Sequence, residues 1–241
     1  MKNIFGFQKK EIPMDLERSD PVFVDLYHQC SKFTMTSVER MYTLFKSVEY
    51  IYKNAIPGDI VECGVWKGGS AMLCALALEH FGDTTRTIYL YDTYQGMTEP
   101  TKNDFHVSDP KRNAFTKWIQ NKKDDHNDWA YASIEEVKNN LASTHYPKEH
   151  IQYIMGDVKE TIPSTIPKEI ALLRLDTDWY ESTAHELTHL FPLLCMSGVL
   201  IIDDYGHWAG AKRAVDEYFS TEKILLSRID NTGRIGVKTT N

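Results

Sequence analysis

Apolar and polar positions along this chain fall into two rhythms. Val38, Met41, Phe45, Val48 and Ile51 recur at three- and four-residue steps, which places them on one face of a helix. Asn54-Ala55-Ile56-Pro57-Gly58 breaks that helix. Short apolar runs then take turns with longer helical stretches. Asp59 to Cys63 reads as a buried strand, Gly64 to Gly69 as a turn and Ser70 to Phe81 as a helix. Thr87 to Asp92, Ile151 to Met155, Ile170 to Asp176 and Gly198 to Asp204 read as further strands. Helices are predicted from about Ser133 to Leu141, Ser182 to Leu194 and Ala209 to Phe219. Residues 1 to about 35 lack either period and read as an irregular arm rich in charge and aromatics.

Alternating strands and helices at this spacing predict an α/β fold, a Rossmann-like parallel sheet with helices on both faces. The end of the chain departs from the pattern. Ile224 to Ile229 and Arg234 to Thr239 flank Asp230-Asn231-Thr232-Gly233 with no helix between them. They predict an antiparallel hairpin and complete a mostly parallel, seven-stranded sheet. The expected organisation is an N-terminal arm and helix over 1–55, then one α/β domain over 56–241. That domain carries a polar insertion at about 97–131, too long for a simple connection. The insertion follows the second strand on the ligand side, so it is expected to act as a lid or substrate wall.

In open α/β sheets, ligands bind at the carboxyl ends of the strands. Acids gather there: Glu62 on the first strand, Asp92 on the second, Asp176 on the fourth, Asp203 and Asp204 on the fifth. Crowded carboxylates repel one another unless cations balance them. The first cation considered is a cofactor. Glu62 to Ser70 (ECGVWKGGS) is a glycine-rich turn between strand and helix, but it lacks the dinucleotide fingerprint. Asp92 lies 24 residues after Gly68, where a carboxylate can accept ribose hydroxyls. S-adenosylmethionine fits, having a ribose and a sulfonium and no pyrophosphate. The second cation is a metal. Asp176, Asp203 and Asp204 offer hard oxygens suited to Mg²⁺, with Mn²⁺ or Ca²⁺ as alternatives.

Overall composition narrows the class. The 241 residues are 42% hydrophobic and 25% charged, with a net charge of −7, ordinary for a soluble globular protein. The acidic balance argues against nucleic acid as a partner. No signal-like apolar stretch or membrane-length run is visible. Cys30, Cys63, Cys74 and Cys195 form no metal or disulfide spacing and read as buried thiols. A cytoplasmic location is the expectation.

Four blocks in order, ECGVWKGGS, YDTYQGM, RLDTDWYEST and IIDDYGHWAGAKRAVDEYF, resemble the motifs of the macrocin O-methyltransferase family. Its members methylate deoxysugar hydroxyls on macrolide and aminocoumarin antibiotics. The resemblance runs from about Thr34 to the last strand. It implies a class I methyltransferase fold using S-adenosylmethionine and Mg²⁺. Family metal ligands fall on Asp176, Asp203 and Asp204, and the general base on Asp178. Cofactor contacts fall on Glu62, Cys63, Gly64, Val65 and Trp66, and on Asp92, Thr93, Tyr94, Gln95 and Gly96. Further contacts fall on Ser133, Gly156 and Asp157. A homo-oligomer is also implied. The GDVKETIP block, the arm and the 96–131 segment depart from the family's usual form, so the resemblance speaks to chemistry more than to the acceptor.

Three readings therefore stand. One is an O-methyltransferase acting on a sugar of a glycosylated natural product or polysaccharide. Another is metal-dependent methylation of a catechol-like phenol. The third is a cofactor-binding scaffold without turnover. His185 to His189 (HELTH) matches the zinc-protease pattern HExxH in letters. It lies away from the acidic rim and has no third ligand in view, so it reads as two histidines on an amphipathic helix. Tyr205, His207 and Trp208 are candidate walls for the acceptor, and Trp66 and Tyr94 are candidate flanks for the adenosine.

Overall fold

The computed structural model describes residues 12–239. In chain order, three helices come first: α1 (Met14–Ser19), α2 (Pro21–Cys30) and α3 (Val38–Lys53). They lead to β1 (Asp59–Cys63), α4 (Gly69–Phe81) and β2 (Ile88–Asp92). The insertion contributes β3 (Phe105–His106), β4 (Asp109–Asn113) and α5 (Ala114–Asn121). Next come α6 (Ile134–Leu141), β5 (Ile151–Met155), α7 (Val158–Thr161), β6 (Ile170–Leu175), α8 (Tyr180–Leu190) and β7 (Leu194–Ile202). The chain closes with α9 (Ala209–Tyr218), β8 (Ser227–Arg228) and β9 (Arg234–Val237).

Seven strands form one sheet in the order β5-β2-β1-β6-β7-β9-β8. The first five are parallel, and β9 and β8 add antiparallel, as the hairpin pattern predicts. Strand order reverses between β1 and β6, so the crevice opens at their carboxyl ends. Both sheet faces are covered. Phe23, Met41, Val48, Leu73 and Leu90 belong to one buried cluster, and Leu173, Leu187, Leu200 and Val215 to the other. Cys30, Cys63 and Cys74 are buried thiols; Cys195 is half-buried.

Three boundaries differ from the expectation. Residues 14–19 and 21–30 are helical, not irregular. Asp20 caps α2 by accepting from the Phe23 amide, and Pro21 sits at its first position, where a missing N–H costs nothing. Phe23, Tyr27 and Cys30 then bury completely or nearly so, so tertiary packing stabilises a helix too short to stand alone. The helix predicted to reach Leu194 ends at Leu190, ahead of Pro192. There the buried Lys238 ammonium donates to the carbonyls of Phe191, Pro192 and Leu194. This lets β7 start early, with a register break against β6 between Leu194 and Val199. Finally, β6 and β7 stop at Leu175 and Ile202, so their acids belong to the turns beyond.

The insertion is folded onto the domain. Buried Asp104 accepts from the Thr101 and Tyr180 amides at 2.7 and 2.9 Å. Trp129 packs edge-on against Trp179 and tilted against Trp208, and those two meet edge-on. Among the described residues no helix is long and apolar enough to cross a membrane.

Candidate active site

The turn after β1 brings backbone close to the end of β6. Gly64 takes φ 85°, and a Cβ there would overlap the Asp176 carbonyl oxygen, so only glycine fits. The next amides, of Val65 and Trp66, donate to the Asp92 carboxylate at 2.7 and 3.1 Å, and Tyr94 donates at 2.8 Å. Asp92 therefore clamps the β1 turn to the end of β2. Burial raises its pKa, and these amides oppose the rise.

Two cavities meet at Asp176. One, of about 840 Å³, is lined by Thr34 and Thr36, Val65 and Trp66, Ser70, and Asp176, Asp178, Asp203 and Asp204. Lys117, Trp129, Ala130, His207 and Trp208 also line it. The other, of about 430 Å³, is lined by Gly64, Asp92, Thr93, Gly96, Gly156, Asp157 and Thr177.

Behind the acids stands Arg174, 3% exposed at its side chain, on the buried strand β6. Its guanidinium donates to Glu62 at 2.5 Å, to Thr36 at 3.0 Å, and from one nitrogen to both Asp176 and Asp203 at 2.7 Å. Arg40, on α3, pairs with Asp203 and donates to Asp230 at 2.9 Å. The crevice's positive charge is thus partly the chain's own, which corrects the expectation that cofactor and metal alone balance the acids. An imbalance persists. The larger cavity's lining has four aspartates against Arg40 and Lys117, an excess of two negative charges when all are ionised. Glu62 and Arg174 form a neutral pair behind it.

The acids feel that crowding. Burial, and then the like charge of Asp176, push Asp178 up to about 7, although Asp204 and Trp208 hydrogen-bond to it. Asp176 and Asp204 are driven well above the carboxylate range, by burial first. His207 is lowered to about 4 by burial and by the nearby cations of His106, Arg112, Arg40 and Lys117.

A divalent cation fits the donor set. Asp176, Asp203 and Asp204 each offer an oxygen, all within 4.8 Å of one another. The buried Asp204 Oδ2 has no hydrogen-bond partner among the described residues, which leaves a desolvated acceptor needing a positive group. Asp203 fits less simply, because each of its oxygens already accepts from an arginine.

The macrocin-O-methyltransferase (TylF) family model matches residues 25–236. The chain belongs to this family. It is an S-adenosylmethionine-dependent O-methyltransferase. It is 33% identical over 202 residues to a tetracenomycin-C 4'-O-methyltransferase of Streptomyces olivaceus, covering 83% of this chain and 73% of that protein. The same figures hold for demethyldecarbamoylnovobiocin O-methyltransferase of Streptomyces niveus. Among solved structures, the O-methyltransferase NovP superposes with a TM-score of 0.75 at 31% identity, over 86% of this chain and 83% of that one. The calicheamicin methyltransferase CalS11 shares the fold, at a TM-score of 0.63 and 17% identity over 95% and 87% of the two chains.

In this methyltransferase most sequence-predicted residues reach the crevice. Gly64, Val65, Trp66, Asp92, Thr93, Gly96, Gly156 and Asp157 line one cavity or the other. Others take structural places. Glu62 is buried against Arg174. Cys63 packs into the core. Tyr94 is buried, with its hydroxyl on the Leu90 carbonyl, and exposed Gln95 accepts the Asn127 amide through its backbone. Ser133 caps α6, accepting from Glu136, and lines neither cavity. Sequence reasoning missed Arg40, Arg174, Lys117, Thr34 and Thr36. A signal existed for Arg174, since an arginine inside the apolar run Ile170–Leu175 needs buried partners.

Proposed function

We propose that this enzyme transfers a methyl group from S-adenosylmethionine to a sugar hydroxyl of a glycosylated small molecule, or of a glycan, with a divalent cation such as Mg²⁺ at the aspartate cluster. The observation that carries the reading is the larger cavity itself. Four aspartates and three tryptophans, Trp66, Trp129 and Trp208, line it together, a combination suited to a polyhydroxylated ring with apolar faces. One named relative acts on a dimethoxyrhamnosyl tetracenomycin and another on demethyldecarbamoylnovobiocin, and the rhamnosyl compound supports a glycoside acceptor.

The β1 turn and the smaller cavity hold the cofactor, beside Asp176 where the cavities join. The acceptor lies between the tryptophans with its hydroxyl facing Asp178. The carbon–sulfur bond breaks as the carbon–oxygen bond forms; the sulfonium leaves as a neutral thioether, and the hydroxyl proton passes to Asp178. A carboxyl raised to about 7 is a stronger base than an ordinary carboxylate. Asp176, Asp203 and Asp204 would hold the cation, which lowers the energy of the deprotonated hydroxyl. Fixed walls align the reactants and remove part of the entropic barrier.

The experiment is a screen for S-adenosylhomocysteine release over glycosides, nucleotide-linked sugars, oligosaccharides and catechols, with Mg²⁺ and with EDTA. Turnover on a sugar hydroxyl supports the proposal. Turnover confined to catechols would replace the acceptor, and no turnover on any acceptor, with cofactor bound, would favour a scaffold.

A further inference from the structure

His185 and His189 of the HELTH run belong to no group of three or more potential metal ligands among the described residues, where the one such group is the aspartate cluster. The run's glutamate has a different place. Glu186 is wholly buried on α8, next to Leu187 and in line with Leu190, both also buried. Its Oε2 accepts the Thr177 hydroxyl at 3.1 Å, while Oε1 has no hydrogen-bond partner among the described residues. Burial pushes this carboxyl well above its usual range; the Thr177 hydrogen bond opposes that, the charges of Asp157 and Asp176 add to it, and a weaker interaction with the Cys63 thiol opposes it again. A half-satisfied buried acid costs stability at a position where leucine would pack.

The partner explains the position. Thr177 lies between Asp176 and Asp178, in a turn where Asp178 takes φ 67°. A side-chain-bearing residue holds that conformation only when its surroundings over-determine it. Backbone restraints are present: Asp176 N–H donates to the Cys63 carbonyl at 2.8 Å, and Trp179 N–H donates to Thr177 at 2.8 Å. The Ser182 hydroxyl donates to the same Thr177 carbonyl at 3.3 Å. Glu186 secures the Thr177 side chain. Asp176 and Asp178 line the larger cavity, while Thr177 lines the smaller one. Rotation of this turn would therefore withdraw both aspartates from the acceptor.

We infer that Glu186 is a positioning residue that locks Thr177 from beneath, keeping the Asp176-Thr177-Asp178 turn in the conformation that presents both aspartates to the acceptor cavity. The inference rests on the roles proposed above for those aspartates. It is tested with the full-length protein as Glu186→Gln, Glu186→Leu, Thr177→Ser and Thr177→Val. The readouts are hydrogen exchange of the amides over 176–179, Mn²⁺ binding and S-adenosylhomocysteine binding.

Glu186→Leu and Thr177→Val should each speed exchange in the turn and weaken Mn²⁺ binding by about tenfold, the lower end for an outer-shell change. S-adenosylhomocysteine affinity of Glu186→Leu should stay at the wild-type value. Glu186→Gln keeps the hydrogen bond and should behave as wild type, and Thr177→Ser, which also keeps it, should match wild type in exchange of the turn amides. The Glu186→Leu/Thr177→Val pair should be no worse than either alone. Should Glu186→Leu fail to fold, Thr177→Val carries the test from the other side of the bond. Unchanged exchange in the disruptive variants, or equal damage from the conservative ones, overturns the inference. Wild-type protein that binds no Mn²⁺ would defeat the metal reading, while the exchange data would still decide the role of Glu186.

Discussion

Arg174 on β6 and Asp203 in the turn after β7 meet at 2.7 Å in the interior, with side chains 3% and 4% exposed. The same guanidinium nitrogen holds Asp176 at 2.7 Å, so one positive charge fixes the spacing of two carboxylates. Removing it leaves the buried Glu62 without a counter-charge and Asp203 with Arg40 alone, and breaking a buried pair typically costs about 3–5 kcal/mol. Arg174→Met is expected to lower stability by that order in urea unfolding. A change below about 1 kcal/mol would mean that the pair is solvated and worth no more than a surface bridge.

Asp178→Asn should bind cofactor as the wild type does and lose about 10²-fold or more in turnover, the usual scale of general-base catalysis. Calorimetry with S-adenosylhomocysteine and release assays with an accepted glycoside separate the two effects. Near-normal turnover would remove Asp178 from the mechanism.

Metal removal gives a third check. EDTA is expected to stop turnover and Mg²⁺ to restore it. Asp204→Ala should abolish Mn²⁺ binding, because its buried Oδ2 has no hydrogen-bond partner among the described residues. Full activity of the native enzyme in EDTA would reject the metal.

Asp230 makes a pH prediction. Burial alone would raise its pKa, but the Gly233 amide, the Ser37 hydroxyl, Arg40 and the Thr232 amide outweigh burial and hold it at about 2. The folded state thus binds this proton more weakly than the unfolded chain. The contribution is complete above the unfolded value near 3.8 and is lost as pH falls toward 2, amounting to about 2 kcal/mol. Asp230→Asn should be less stable than wild type at pH 6, and the gap should narrow below pH 4 and close near pH 2. A gap that stays constant down to pH 2 would show that the carboxylate charge contributes nothing.

The elements legible in the sequence were those whose periodicity matches their burial. The β1, β2, β6 and β7 runs are apolar because both sheet faces are covered, and Val38 to Ile51 carries its stripe openly. The helices at Met14–Ser19 and Pro21–Cys30 escaped notice because they are short and their stability comes from docking, which local pattern does not record.

At the site, the sequence by itself determined the inventory and the edge. Acids following consecutive parallel strands must gather at one rim, because strand direction and crossover handedness leave no other place. Only the tertiary structure decided how those acids are balanced. Arg40 and Asp203 are 163 positions apart, Arg174 and Glu62 112, and such pairings have no local signature. Asp92 shows the same division: its place at the end of β2 and its bond to the nearby Tyr94 amide are local, but its other two amide partners, Val65 and Trp66, come from a turn that approaches it only after folding. Electrostatic energy depends on distance and burial, and neither exists until the sheet has closed.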